Sequence, residues 1–367
     1  IPGRLVRGGT SRGLFVRDTA LPEDPDERDA VVLDAFGSPD PIQVDGIGGS
    51  HSHTSKLMIV DPGERDGVDV QYTFGQVGID RADVDWSGNC GNLTSAIGPF
   101  AILEGVVDAD EPVTELTLYN TNTDTYVEQT VPVEDGRPAV EGDYAIDGID
   151  GTGARVDSEF VEPGGRSLGD FLPRGRRLSL PDAGCEVTAA DAANPCVFVA
   201  AEDIGVEGTE LADVFDSAPV RERVEAVRGE ALVELGLAES VETARKERPA
   251  TPFFIVVSPA ADYETSLDGH VGSDEVDLVA RAYTSEHPHH AFPMTGAMCL
   301  AATVRASGTV PFDAAGGDPG DAVRIGHPKG TVTVGSDVDD GDEVRVNTVT
   351  VGRTVRQLMH GVVFSRR

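Results

Sequence analysis

The sequence predicts an α+β protein of two similar halves, each a curved, mostly antiparallel sheet around a central helix. Three observations predict it. Period-two alternation of apolar and polar residues dominates the chain, as half-buried strands require. Two stretches of small and apolar residues, 92–104 and 295–306, read as helices apolar all round, which suits a helix packed inside a sheet. A strand followed at a distance by a cysteine-bearing helix also occurs twice. SRGLFVRD (11–18) precedes the Cys90 stretch and ANPCVFVAAED (193–203) precedes the Cys299 stretch, the pattern of an internal duplication.

Taken in order, LVRGGTSRGLFVR (5–17) reads as two short strands around a Gly-rich bend. DGVDVQYTFGQVGID (66–80) and VTELTLYNTNTDTYVEQTVPV (113–133) alternate as antiparallel strands do. GNCGNLTSAIGPFAILEG (88–105) turns through glycines and runs into the first apolar helix. APVRERVEAVRGEALVELGL (218–237) is an amphipathic surface helix, with Val220, Val224, Val227, Leu232 and Leu235 on its apolar side. The second apolar helix starts at Thr295. TVTVGSDVDDGDEVRVNTVTVGRTV (331–355) reads as a hairpin whose acidic turn is GSDVDDGDE, 335–343. Gly341 follows Asp337 by four positions, where a calcium loop of the EF-hand type has its Gly at the sixth, so this is a solvated turn. The boundary between halves falls at LSLPDAGCEV. The N-terminal domain is 1–185 and the C-terminal domain 186–345, and a segment of about 346–367 packs back on the first.

The charge balance bounds the partners. There are 64 Asp and Glu against 29 Lys and Arg, a net charge of −35. The acids are scattered between apolar runs and 39% of residues are hydrophobic, which argues for a folded chain with an acidic shell rather than disorder. Salt screens the self-repulsion of such a shell, so the expected setting is the cytoplasm of a salt-accumulating halophile. There is no basic stripe for nucleic acid and no 18-residue apolar run for a membrane. Ile1-Pro2-Gly3-Arg4 lacks the apolar segment of a signal peptide. Four cysteines with no CxxC pair are too sparse for a disulfide framework and do not suggest a cysteine zinc site, so a reducing cytosol is expected.

Three stretches carry candidate chemistry. In GNCGN, the glycines let backbone approach a ligand, and Asn89 and Asn92 can cap the helix or bind carboxylate oxygens. A helix N-terminus attracts anions and activates a nearby thiol. Cys90 is therefore either a thiol beside a bound acid or a small buried residue, and the residues alone leave both open. In DGIGGSHSHTSKLMIVD (45–61), Lys56 enters an apolar run. Burial there would lower its pKa and suit it to act as a base. The spacing is not that of a P-loop. His51, His53, His287, His289 and His290 raise a metal question, but the clusters are far apart in sequence and lack HExxH spacing, so no metal is expected. In RGGTSRG (7–13), Thr10, Ser11 and Arg12 offer hydroxyls and a guanidinium, either as a carboxylate clamp or as the polar tip of a hairpin.

In order along the chain, RGGTSRGLFV, GGSHSHTSK, SGNCGNLTSAIGPFAI, MTGAMCLAAT and GHPKGTVTVG resemble the PrpF family, from Arg7 to about Gly335. That family is similar in fold to diaminopimelate epimerase and includes 2-methylaconitate isomerase, methylitaconate isomerase and 4-oxalomesaconate tautomerase. The resemblance implies two pseudo-symmetric domains with the active site in the cleft between them. It implies cofactor-independent movement of a double bond in an unsaturated di- or tricarboxylate. Lys56 matches the family's proton-transferring lysine and Cys90 its active-site cysteine. Thr10, Ser11, Ser55, Asn89, Gly91, Asn92, Thr295 and Gly296 fall on segments lining the carboxylate pockets, and His327 lies on a matching segment. The family has Lys where Arg12 stands, which changes how a carboxylate would be clamped.

Such a reaction takes a proton from a carbon beside an unsaturated carboxylate and returns it two atoms away, through one base or a Lys/Cys pair. Cys299 lies four residues past Thr295, whereas the Cys90 position would correspond to about Gly296 or Ala297. That displacement disfavours a two-thiol epimerase or racemase. An accessory protein for an aconitase-like dehydratase remains as another reading, as does a metal-dependent hydrolase using the His clusters. A homodimer is expected.

Overall fold

A tight hairpin opens the chain. In the computed structural model, which describes residues 1–248, 251–284 and 287–366, β1 (Pro2–Gly8) and β2 (Ser11–Val16) pair antiparallel. Gly8 stands opposite Ser11, leaving Gly9 and Thr10 as the turn. A helix that the apolar pattern does not announce follows, α1 (Pro25–Phe36). Its signals lie at its ends. The Asp24 side chain accepts from the N–H groups of Asp26 and Glu27, Pro25 takes the first turn, and Gly37 closes the helix at φ 75°. It buries only Val32, Ala35 and Phe36, too little to show as a stripe.

The first unit continues through β3 (Lys56–Pro62), β4 (Val70–Val77), the short helices α2 (Gly91–Thr94) and α3 (Ile97–Leu103), then β5 (Val113–Asn120) and β6 (Thr125–Glu134). Neighbouring strands alternate in sense. β1–β2 is antiparallel, β2–β3 parallel, β3–β4 antiparallel, β4–β5 parallel and β5–β6 antiparallel. Leu14, Val16, Leu57 and Ile59 of the sheet meet Val32, Ala35 and Phe36 of α1 in one core cluster. Each such side chain taken from water contributes about 1.5–3 kcal/mol.

The second unit repeats this order. It runs β7 (Cys185–Ala192), β8 (Asn194–Ala200), α4 (Ala218–Glu234), β9 (Phe253–Pro259), β10 (Leu278–Thr284), α5 (Met294–Val304), β11 (Ala322–His327) and β12 (Gly330–Asp340). β7–β8 is antiparallel, β8–β9 parallel, β9–β10 antiparallel, β10–β11 parallel and β11–β12 antiparallel. The duplication read from SRGLFVRD and ANPCVFVAAED is thus the pair β2 and β8, each followed by a parallel strand. Helix α4 lays Val224, Val227 and Ala231 on Val187, Val199, Phe254 and Val256. All of α5 is buried, as its apolar circumference requires.

The last strand, β13 (Val344–Val362), pairs with β12 over its first part and with β1 from Val355 onward. The acidic turn expected at 335–343 is shorter than its composition suggests. Gly335 to Asp340 are in β12, paired through a bulge after Asp337, and only 341–343 turn. Compactness divides the chain into Ile1–Glu159 with Gly352–Arg367, and Phe160–Val351. Residue 185, read as the boundary from LSLPDAGCEV, opens β7 inside the second unit, where Leu180 pairs with Cys185 in a hairpin.

The helix expected over 92–104 is two pieces, for a definite reason. Gly98 N–H donates to Gln129 Oε1 at 2.7 Å, and Gln129 Nε2 donates to Thr94 O at 3.0 Å. The amide of Gln129 thus occupies the place of the direct Gly98-to-Thr94 helical bond, and Pro99 next to it has no N–H to offer.

Candidate active site

In the first unit, β2 gathers most of the residues singled out above. Gly13 pairs with Lys56 across the parallel β2–β3 register, while Ser11, two residues earlier, meets Cys90. The Cys90 thiol donates to Ser11 Oγ at 3.9 Å. A side chain at Gly13 would press on Leu93 and on the Lys56 carbonyl, its Cβ only 2.7 and 2.8 Å away, so the glycine lets α2 and β3 close on this strand. Gly9 sits at φ 51°, and a Cβ there would lie 2.1 Å from Asn92 Oδ1.

Cys90 is the N-cap residue of α2 and is 7% exposed. Its N–H donates to Asn89 Oδ1 at 2.7 Å, and its carbonyl accepts from the Thr94 N–H at 2.9 Å and the Thr94 hydroxyl at 3.1 Å. Thr94 Oγ1 lies 3.2 Å from the Tyr72 hydroxyl. Burial pushes the Tyr72 phenol well above its ordinary pKa, so it stays protonated and acts purely as a hydrogen-bonding strut. The GNCGN turn therefore rests on a buried polar floor.

Asn92 has both ends of its amide engaged. Nδ2 donates to Thr10 Oγ1 at 3.1 Å and Oδ1 accepts from Arg353 Nε at 3.1 Å. Arg353 is buried, and that desolvation pulls its guanidinium down to about 10, still protonated at neutral pH. Nothing in the motif reading points to Arg353. Its one sequence signal is a charge at an inward-facing position of the alternating run TVGRTV.

Lys56 is one of three lysines in the chain. Its Nζ donates to Gln76 Oε1 at 2.6 Å and lies 5.0 Å from the centre of the Phe74 ring. Gln76 is its cross-strand register partner on β4. Ser55, fully buried, donates through Oγ to Gln43 Oε1 at 2.7 Å. Arg12 lies against Gly49, and its Nε is buried with no acceptor among the described residues. Gly91 opens α2 and is buried.

The second unit places its own set. Thr295 Oγ1 accepts from Asn194 Nδ2 at 3.0 Å. This matches the Asn92–Thr10 pair with the side chains exchanged between helix and hairpin. Thr295 lies two residues past the N-cap Pro293, as Asn92 lies two past the N-cap Cys90. The counterpart of Cys90 is therefore Pro293 rather than Gly296 or Ala297, and the second unit has no thiol at that position. Gly296 packs on Pro293 and Ile255. Cys299 is fully buried in mid-helix beside Cys196, whose thiol burial pushes up strongly. His327 ends β11, and its Nδ1 accepts from the Lys329 N–H at 3.2 Å. His51 and His53 stack at 5.3 Å, and among the described residues no group of three or more His, Cys, Asp or Glu is placed to hold a metal ion.

The family model described as PrpF protein matches residues 1–366. The chain is 39% identical to a 3-methylitaconate isomerase of Eubacterium barkeri, over 99% of this chain and 97% of that one. It is 37% identical to a 2-methyl-aconitate isomerase of Shewanella oneidensis, over 99% and 96%. Among solved structures, a methylitaconate-delta-isomerase matches with a TM-score of 0.84 at 39% identity, covering 98% of this chain and 94% of that one. A probable proline racemase from Agrobacterium radiobacter matches with a TM-score of 0.57 at 13% identity, covering 99% and 93%, which shows a shared fold alone.

Proposed function

Because this chain belongs to the PrpF family and is an isomerase, we propose that it moves a carbon–carbon double bond in an unsaturated di- or tricarboxylate of the methylaconitate, methylitaconate or oxalomesaconate type. Lys56 takes a proton from the carbon beside the unsaturated acid. The electron pair left behind delocalises into the conjugated carboxylate as a dienolate-like anion. The proton returns two atoms away, from the Lys56 ammonium or from the Cys90 thiol. No electron is gained or lost by the substrate as a whole, so the step is written with no redox partner or cofactor.

One observation carries this reading. β2 brings a lysine held by a neutral amide and a cysteine at a helix start to the same short strand segment, Ser11 to Gly13. Arg12, between them, keeps a buried N–H without an acceptor, a donor suited to a substrate carboxylate. Thr10, Ser11, Asn89, Gly91 and Asn92 shape the wall around it, and Ser55 stands next to Lys56. Thr295, Gly296 and His327 are proposed as further substrate-binding residues. The acidic balance of −35 supports a salt-accumulating cytoplasm as the setting, and no helix of the described residues is long and apolar enough to cross a membrane. A homodimer and a functional link to an aconitase-like dehydratase belong to the same proposal.

The test is turnover of a panel of such acids at molar KCl, read by proton NMR after gel filtration and chelation. Double-bond migration by wild type, reduced about 10²- to 10⁴-fold in Lys56→Ala, supports the reading. Full activity in Lys56→Ala removes Lys56 as the base, and loss of activity on chelation removes cofactor independence.

A further inference from the structure

We propose that Gln76 is the positioning residue of Lys56, aiming its amine through a neutral acceptor that brings no negative charge beside it. The inference rests on Lys56 being the base of the reaction proposed above.

Gln76 is fixed in orientation by its surroundings. Its Nε2 donates to the carbonyls of Ser52 at 3.1 Å and Ser55 at 3.0 Å. Two acceptors on that side require the amide nitrogen there, so the oxygen must face the lysine, 2.6 Å from Nζ. Both carbonyls belong to the short turn that leads into β3, so the same amide ties the turn to the strand carrying Lys56. Phe74, two residues along β4, places its ring centre 5.0 Å from Nζ, an uncharged neighbour on the same strand as Gln76.

The chemistry explains why an amide should stand here in a chain with 64 acidic residues. A lysine that abstracts a proton must do so as the free amine, and a carboxylate at hydrogen-bond distance would favour the ammonium instead. The charged and titratable groups on the packed elements are Asp61 towards the far end of β3, Tyr72 on β4, Arg12 beside Gly13, His51 and His53 in the preceding turn, Asp85 opposite Gln76, and Cys90 before α2. Asp85 Oδ1 accepts from the Ser87 N–H at 2.8 Å and the Ser87 hydroxyl at 2.6 Å, turned to its own loop. Gln76 stands between that carboxylate and Lys56 in the strand order. Glutamate in its place would match it in size but would lose the donors to both carbonyls and bring a negative charge to Nζ.

The experiment compares the pH profile of kcat/KM for wild type, Gln76→Glu, Gln76→Met and Lys56→Ala at constant high salt. In Gln76→Glu the acidic limb moves to higher pH by about one unit or more. In Gln76→Met the limb stays within a few tenths of a unit while kcat drops about tenfold at similar KM, since the amine is no longer aimed. A Gln76→Glu profile that superimposes on wild type while Lys56→Ala is inactive overturns the inference and leaves the base assignment standing. Wild-type kcat in Gln76→Met overturns it as well, and serves where Gln76→Glu does not fold. Turnover retained in Lys56→Ala removes the base assignment itself.

Discussion

Replacing Gln129 by Leu tests whether a single buried amide holds the GNCGN turn in place. Gln129 is 1% exposed and bridges the gap between α2 and α3, accepting from Gly98 N–H and donating to Thr94 O and to Ser158 Oγ at 2.9 Å. Leucine keeps most of the volume and removes every one of these bonds. A buried polar group left without a partner costs about 1–3 kcal/mol. Gly98 N–H, Thr94 O and the buried Ser158 hydroxyl are all left without this partner, which sets the loss at about 3–9 kcal/mol. Equilibrium denaturation at molar KCl measures it, and the single tryptophan makes the readout local. Trp86 lies four residues before Cys90, with its Nε1 donating to Asp29 at 3.0 Å and its carbonyl accepting from Asn122 at 2.6 Å. The expected outcome is an earlier fluorescence transition together with reduced kcat, because Thr94 also supports the Cys90 carbonyl. A loss under about 1 kcal/mol, with unchanged Trp86 emission, would show that Gly98 and Thr94 pair directly once the amide is gone, and would refute this reasoning.

Other substitutions probe separate links. Gly9→Ala forces a Cβ onto Asn92 Oδ1 at a φ of 51°, so unfolding in denaturant should show a loss of about 2 kcal/mol or more. A near-neutral result would mean that the hairpin moves freely from α2. Cys90→Ser should reduce kcat at least tenfold with little change in stability, measured by steady-state kinetics and thermal unfolding. Lowering KCl from molar to about 0.1 M lengthens the Debye screening from about 3 to 10 Å, so Tm should fall by several degrees if the −35 charge governs stability. Asp191 is buried, and desolvation raises its carboxyl although Ser167 and Leu168 N–H groups oppose this. The native state therefore takes up that proton at higher pH than the unfolded chain, and its ionised form costs stability at neutral pH. Asp191→Asn should be at least as stable as wild type at pH 7, with the gap narrowing as pH falls towards 4, and a widening gap in parallel titrations would contradict the sign.

Much of this architecture is legible in the sequence because the strands carry their burial pattern locally. β5 and β6 alternate cleanly, and α5 is apolar on every side, so its place inside a sheet follows from composition. The GNCGN turn is legible for a similar local reason, since its glycines announce a helix start, although the N-cap is Cys90 and neither Asn89 nor Asn92 takes that place. What stays hidden depends on residues far apart in the chain. The break after Thr94 is made by Gln129, 31 positions beyond Gly98. Arg353 reaches Asn92 across 261 positions, and Gln76 meets Lys56 only through the β3–β4 register. Helix α1 escaped detection on other grounds. Its cap signals are strong, but its buried face is three residues, and periodicity cannot reveal so narrow a stripe. Placing the counterpart of Cys90 at Gly296 or Ala297 sets it three or four residues too late, because the N-cap of the second helix is Pro293, with no glycine turn of the same length before it.

Deuterium wash-in tests proton transfer by Lys56 most directly. Wild type and Lys56→Ala are incubated in D₂O at molar KCl with each unsaturated di- and tricarboxylate of the panel and followed by proton NMR. Deuterium should enter the allylic carbon of the substrate as the double bond moves, and both signals should vanish together in Lys56→Ala. Exchange and migration that persist in Lys56→Ala, or the absence of both for every acid that binds wild type, would contradict it.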